Sequence, residues 1–176
     1  MMRRASPPRP FLIGPAGEPA LHCYDVLRRR GISGLIGGLI VTHGRLAFEL
    51  LKAAQQIEAD TVGIEAVSLE WNDSVDEARE KIRAALDKYG SQRSVIIFTD
   101  MFGGTPSNIS LSFLEQGRVE IFTGVNLPMV VKFATLQREA TDVASLAHII
   151  SEKGSKAIRV CSELLSERRT PVGVGS

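Results

Sequence analysis

Gly34–Thr42, GLIGGLIVT, and the His43-Gly44-Arg45 that follows it decide the fold. Nine residues without a charge are apolar on both faces. A strand in the middle of a parallel sheet needs this, because helices cover it from both sides. The run stops abruptly at a histidine and a glycine. The chain has three histidines in 176 residues, and one stands at the tip of its most apolar strand. A surface histidine at a strand end and a chemical group placed there on purpose are the two competing explanations.

Outward from this strand the pattern alternates. From Arg45 to Ile57, apolar residues recur at Leu46, Ala47, Leu50, Ala54 and Ile57, which is helix spacing. Val62–Leu69 reads as a strand. Ser74 and Glu77 form a capping box ahead of a helical stripe through Val75, Ala78, Ile82, Leu86 and Tyr89. Ser94–Thr99 is a third strand. Thr105 is expected as the N-cap of a further helix, with Pro106 at its first position and Gly117 ending it. Val119–Thr123 is a fourth strand, and Asn126-Leu127-Pro128 starts another helix. A long helix is expected from Thr141 to about Lys153, and a final strand over Lys156–Cys161. Strand alternating with helix predicts an α/β fold: a doubly wound, mostly parallel open sheet between two helical layers. Ligands of such sheets bind beyond the carboxyl ends of the strands, where the strand order reverses. His43 stands at such an end.

The flanks differ in composition. Residues 1–34 hold five of the eight prolines and an excess of arginine, and read as an irregular extension in which Ala20–Arg30 could form a short helix. The domain is expected over 35–166, with a frayed tail at 167–176. A formal net charge of +1 gives no reason to expect nucleic acid as a partner. No apolar run approaches the ~18 residues a membrane-crossing helix needs, so direct membrane insertion is not expected. The two cysteines, Cys23 and Cys161, show no metal-ligand spacing, and a reduced cytoplasmic protein is the simplest expectation.

A second stretch repeats the layout of the first. Thr99–Asn108, TDMFGGTPSN, ends a buried strand in an acid, continues with two glycines and starts a helix. Bare backbone at Gly103 and Gly104 admits an anion closely, and a helix start receives it. Thr105 could add a hydroxyl. Thr42 and Gly44, either side of His43, join Gly103, Gly104 and Thr105 in the expected phosphate-binding set. An imidazole titrates near neutrality, and Asp100 could hold one ring nitrogen so that the other serves as a nucleophile. Phosphoryl transfer asks for little more than this positioning and charge stabilisation. The chain has no GxxxxGK[ST] run, so a nucleotide donor is not indicated, and no cofactor or metal is expected. Arg45 could neutralise a phosphate, or be a solvated charge on the first helical turn. Asn126 reads as a cap at the site's edge. Trp71-Asn72-Asp73 reads as a loop near the site with no assigned role. His22 and His148 are assigned no chemistry.

THGRLA (Thr42–Ala47), TDMFGGTPSN and GVNLPM (Gly124–Met129) together resemble the signature segments of the mannose-family enzyme IIA of the bacterial phosphoenolpyruvate-dependent sugar phosphotransferase system. The resemblance covers roughly Ile36 to Leu165. It implies that His43 is a phosphohistidine, loaded by the phosphocarrier HPr and unloaded onto an enzyme IIB that feeds a IIC/IID membrane permease. It implies that Asp100 orients His43, and that Gly103, Gly104 and Thr105 hold the phosphoryl group. It also implies a homodimer that exchanges a last antiparallel strand, for which Ala157–Cys161 is the candidate. The set looks closest to stand-alone members of the nitrogen-related branch of that system. The family's chains usually start at the first strand, whereas about 35 residues precede it here. No IIB domain follows residue 165, so the acceptor would be another chain. The alternative is a regulatory switch, in which the phosphohistidine alters contacts with another protein and no sugar is transported. A hydrolase using His43 and Asp100 is the third reading; it lacks a second acid, a serine nucleophile elbow and a metal set.

Overall fold

A computed structural model describes residues 35–58 and 60–163. Its elements, in chain order, are β1 (Gly37–His43), α1 (Leu46–Ile57), β2 (Ile64–Leu69), α2 (Val75–Asp87), β3 (Val95–Thr99), α3 (Thr105–Ser110), β4 (Val119–Thr123), α4 (Leu127–Leu136) and α5 (Val143–Lys156). The strands form one sheet in the order β2-β1-β3-β4, every pair parallel. The chain winds from β1 outward to β2, then returns past β1 to β3 and on to β4. The strand order therefore reverses between β1 and β3.

That reversal also sorts the helices. Parallel crossovers are right-handed, so a change of winding direction moves the connecting helix to the opposite face. Ile36, Ile40, Ile96 and Phe98 point to one face, and meet Ala47 and Ala54 of α1, Val130 and Phe133 of α4, and Leu146 and Ile150 of α5. Leu39, Val41, Val95 and Ile97 point to the other, and meet Ala78 and Ile82 of α2, Tyr89, and Ile109 of α3. Alternate residues of β1 and β3 thus serve two cores, as their uninterrupted apolar sequence requires.

The two glycines inside β1 are packing devices. A Cβ on Gly37 would stand 2.5 Å from the Tyr89 ring, and one on Gly38 would stand 2.4 Å from the Phe133 ring. One aromatic ring from each helical layer presses onto the central strand there. The Tyr89 hydroxyl also donates to the Gly38 carbonyl at 2.6 Å.

Three expectations need correction. The N-cap of α3 is Gly104, not Thr105, and Thr105 is the first helical residue with Pro106 second. That helix closes at Ser110 and tightens into a single 3₁₀ turn over Leu111–Phe113, so Gly117 terminates a later turn. The Ser112 hydroxyl donates to the Ile109 carbonyl at 2.7 Å, a local bond that competes with the helical ladder. No strand forms over Lys156–Cys161. α5 runs to Lys156, the chain turns at Ala157, and residues 158–160 have no strand beside them among the described residues. The possible helix over Ala20–Arg30, the irregular extension and the tail at 167–176 lie outside the described residues.

Candidate functional site

Val41 of β1 pairs with Thr99 of β3, so the two strands deliver His43 and Asp100 side by side at the reversal point. One carboxylate oxygen of Asp100, Oδ2, accepts two hydrogen bonds from His43. The backbone N–H donates at 2.9 Å and ring Nδ1 lies at 2.8 Å. Oδ1 accepts from the Met101 N–H at 2.9 Å. Both side chains are less than one-fifth exposed. A carboxylate only accepts, so the ring nitrogen facing it carries the proton. Nδ1–H is thereby fixed, and in the neutral ring Nε2 is the nitrogen with the free lone pair.

The far edge of the ring faces bare backbone. A Cβ on Gly104 would stand 2.8 Å from His43 Cε1 and 3.5 Å from Nε2, so only glycine fits against this histidine without displacing it. Gly103 adopts φ +80°, the left-handed region that favours glycine, and its carbonyl accepts from Asn108 Nδ2 at 3.1 Å. Thr105 is exposed beside them. It is not the capping residue, since Gly104 takes that position.

Thr42 and Gly44 are occupied otherwise. The Thr42 side chain is fully buried, and its Oγ1 accepts from the Ala47 N–H at 2.7 Å, tying down the first turn of α1. The Gly44 N–H donates to the Leu69 carbonyl at 2.9 Å, continuing the β1–β2 ladder past His43. Both groups are thus engaged within the fold. Arg45 is exposed and lies 3.8 Å from Glu49, one helical turn on, as a solvated first-turn charge would. Asn126 caps α4 through the Met129 N–H and donates to the Gly154 carbonyl, so its polar groups brace α4 against α5. His148 lies exposed on α5, and His22 is outside the described residues.

Trp71, expected in a loop near the site but given no role from the sequence, is in contact with His43. Its ring stacks on the His43 imidazole, with centroids 5.0 Å apart and planes 18° from parallel. It sits in the turn between β2 and α2. Asp73 closes that turn by accepting from the Glu70 N–H at 2.8 Å and from the Lys81 ammonium. Lys81 first, and then the Glu70 amide, hold the Asp73 carboxyl below its usual range. The signal in the sequence was the chain's single tryptophan placed two residues after a strand end level with His43.

Relatives carry the same arrangement of elements. Residues 37–150 match the EIIA-man family model, described as the PTS system fructose IIA component. The chain is 28% identical over 137 residues to the PTS system fructose-specific EIIA component of Bacillus subtilis (strain 168), which covers 77% of this chain and 93% of that protein. It is 25% identical over 134 residues to the PTS system mannose-specific EIIAB component of Escherichia coli (strain K12), covering 76% of this chain and 42% of that longer protein. The mannose/sorbose specific IIA subunit of the phosphotransferase system from Enterococcus faecalis superposes with a TM-score of 0.63 at 25% identity, over 72% of this chain and 94% of that one. Component EIIA from Streptococcus agalactiae shares the fold, with a TM-score of 0.67 at 19% identity, over 73% of this chain and 99% of that one. The family match runs from the first residue of β1 into α5 and takes in both His43 and Asp100: the chain belongs to the EIIA-man family of phosphotransferase system components.

Proposed function

We propose that the protein is a phosphocarrier of the phosphoenolpyruvate-dependent sugar phosphotransferase system, with His43 as the residue that carries the phosphoryl group. The observation that carries this reading is the Asp100 clamp on Nδ1, which leaves Nε2 against the open backbone of Gly104. The donor is phospho-HPr, the acceptor is an enzyme IIB, and the protein works in the cytoplasm as a homodimer. Among the described residues, no helix is long and apolar enough to cross a membrane.

In the transfer, the Nε2 lone pair attacks phosphorus in line. The new N–P bond forms as the donor histidine's P–N bond breaks, and the donor ring recovers its lone pair. His43 then carries phosphate on Nε2 and the original proton on Nδ1, an imidazolium whose positive charge faces the Asp100 carboxylate. No proton has to move, so positioning and electrostatics supply the catalysis. The transferred oxygens meet the backbone at Gly103-Gly104 and the Thr105 hydroxyl. The start of α1, three residues beyond His43, adds the positive end of a twelve-residue helix. Exposed Met101 and Phe102 beside the site suit a protein donor rather than a small polar substrate.

The test is reconstitution with labelled phosphoenolpyruvate, enzyme I and HPr. Acid-labile label on His43, lost in His43→Ala and discharged onto added IIB, is the expected result. Label elsewhere, or none, refutes the reading.

A further inference from the structure

Trp71 is the chain's only tryptophan, and 84% of it is exposed. Leaving that much aromatic surface in water is unfavourable, so a ring held there has a use outside the core. The turn that holds it is tied at several points. The Gly44 N–H bonds the Leu69 carbonyl at its base, which links the turn to the residue after His43. Within the turn, the Asp73 N–H donates to the Glu70 carbonyl at 3.1 Å, and the Asp73 carboxylate accepts from the Glu70 N–H. Lys81 of α2 anchors the same carboxylate. The Ser74–Glu77 capping box follows at once and fixes the exit of the chain. Trp71 is thus carried by a stiff support whose base is hydrogen-bonded to the histidine strand.

The other two constraints on His43 act at its rim. Asp100 holds one atom, Nδ1, and the Gly104 backbone meets the Cε1–Nε2 edge. A hydrogen bond at one atom leaves the ring free to tilt about it. A flat ring against its face removes that tilt, and the indole lies 18° from parallel to the imidazole. The attacking lone pair lies in the imidazole plane, so tilt carries Nε2 out of line with the phosphorus.

We infer that Trp71 is a positioning residue for phosphoryl transfer: its indole sets the plane of the His43 ring, while Asp100 sets its tautomer. This rests on the phosphocarrier reading above, and the experiment separates the two. Wild type, Trp71→Ala and Trp71→Phe are compared for kcat and KM with phospho-HPr, and the His43 ring-proton shifts are recorded by NMR on the full chain. Trp71→Ala is expected to lower kcat about tenfold with KM changed less than about twofold, since misplacement of a reacting atom acts on the chemical step. Trp71→Phe is expected to recover most of the rate, because it keeps a stacking face. The ring-proton shifts should move in Trp71→Ala as the indole ring current is lost. A raised KM at unchanged kcat would overturn the inference and make Trp71 a docking contact. Unchanged kinetics, or unmoved ring-proton shifts, would overturn it too. If wild type labels at His43 and only the Trp71 results fail, the positioning role alone is wrong; a wild type that takes no phosphoryl group overturns both.

Discussion

Asp100→Asn isolates the charge that faces His43. Two donors, the His43 backbone N–H and Nδ1–H, converge on Asp100 Oδ2, while the Met101 N–H alone meets Oδ1. An asparagine in this place therefore keeps its carbonyl oxygen toward His43, where two hydrogen bonds are satisfied against one. The tautomer survives, and what is lost is the negative charge. A hydrogen bond to a charged group contributes about 1.5–3 kcal/mol and a neutral one about 0.5–1.5; the difference, about 1–1.5 kcal/mol, corresponds to roughly 5- to 13-fold in rate. Screening subtracts little, because both side chains are less than one-fifth exposed. The loss falls on the phosphorylated state, whose imidazolium no longer faces a carboxylate. Single-turnover transfer from phospho-HPr, followed by rapid quench, should be slower by that factor while the circular dichroism melt stays close to wild type. Asp100→Ala removes the anchor as well as the charge and should be slower still. An asparagine variant within about threefold of wild type would show that the facing charge does not stabilise the transfer. A variant slower than Asp100→Ala would show that the amide has turned its NH₂ to the ring and moved the proton onto Nε2.

Two further predictions concern other positions. The same glycine-to-alanine change should have opposite consequences at two sites. At Gly104, whose φ of −78° suits any residue, the new Cβ displaces only the imidazole and Met101, so transfer should fall about 10- to 100-fold with little change in Tm. At Gly37 the Cβ meets the buried Tyr89 ring at 2.5 Å, so urea denaturation should reveal a loss of about 1–3 kcal/mol while the folded protein transfers at the wild-type rate. The reverse pattern would refute the division between site glycine and packing glycine. The second prediction is a pH effect at the start of α5. Hydrogen bonds from Ser145, through its side chain and its backbone, and from the Ala144 N–H hold the Asp142 carboxyl below 3.8. A depressed folded value adds stability above the unfolded value, and that stability is lost as pH falls through the folded one. The Tm advantage of wild type over Asp142→Asn should therefore shrink below about pH 4. An advantage that stays constant into stronger acid would mean that the carboxylate does not stabilise the cap.

Most of the fold was legible because its signals are local and periodic. The apolar run before His43 could only be a central strand, and the Ser74–Glu77 box forms as the spacing required. Asn126 and Pro128 start α4 for the same kind of reason. Errors arose where a residue's neighbours in space outweighed its neighbours in sequence. Thr105 has the chemistry of an N-cap, but Gly104 takes that position because it also faces His43, where no side chain fits. Lys156–Cys161 has the alternation of a strand, yet alternation makes a strand only beside another edge. Here Ile158 and Val160 remain exposed after the turn at Ala157.

The site was legible to the extent that its two halves repeat one layout, an apolar strand ending in a polar side chain before a glycine turn. Parallel pairing of β1 with β3 makes such ends meet, so His43 and Asp100 could be matched without knowing the strand order. Adjacency to His43 in the chain and adjacency in space differ. Thr42 and Gly44 flank it in the chain, yet the hydroxyl of one and the amide of the other are engaged in holding α1 and β2. Trp71, 28 positions away, touches the imidazole because β2 lies in register with β1, Leu69 opposite His43. A residue two steps past Leu69 is then carried to the face of the ring. The rule that follows is geometric: the residues that reach this strand-end histidine are those just past the last paired residues, Thr99 and Leu69, of the two neighbouring strands. Asp100 and Trp71 satisfy it from opposite sides.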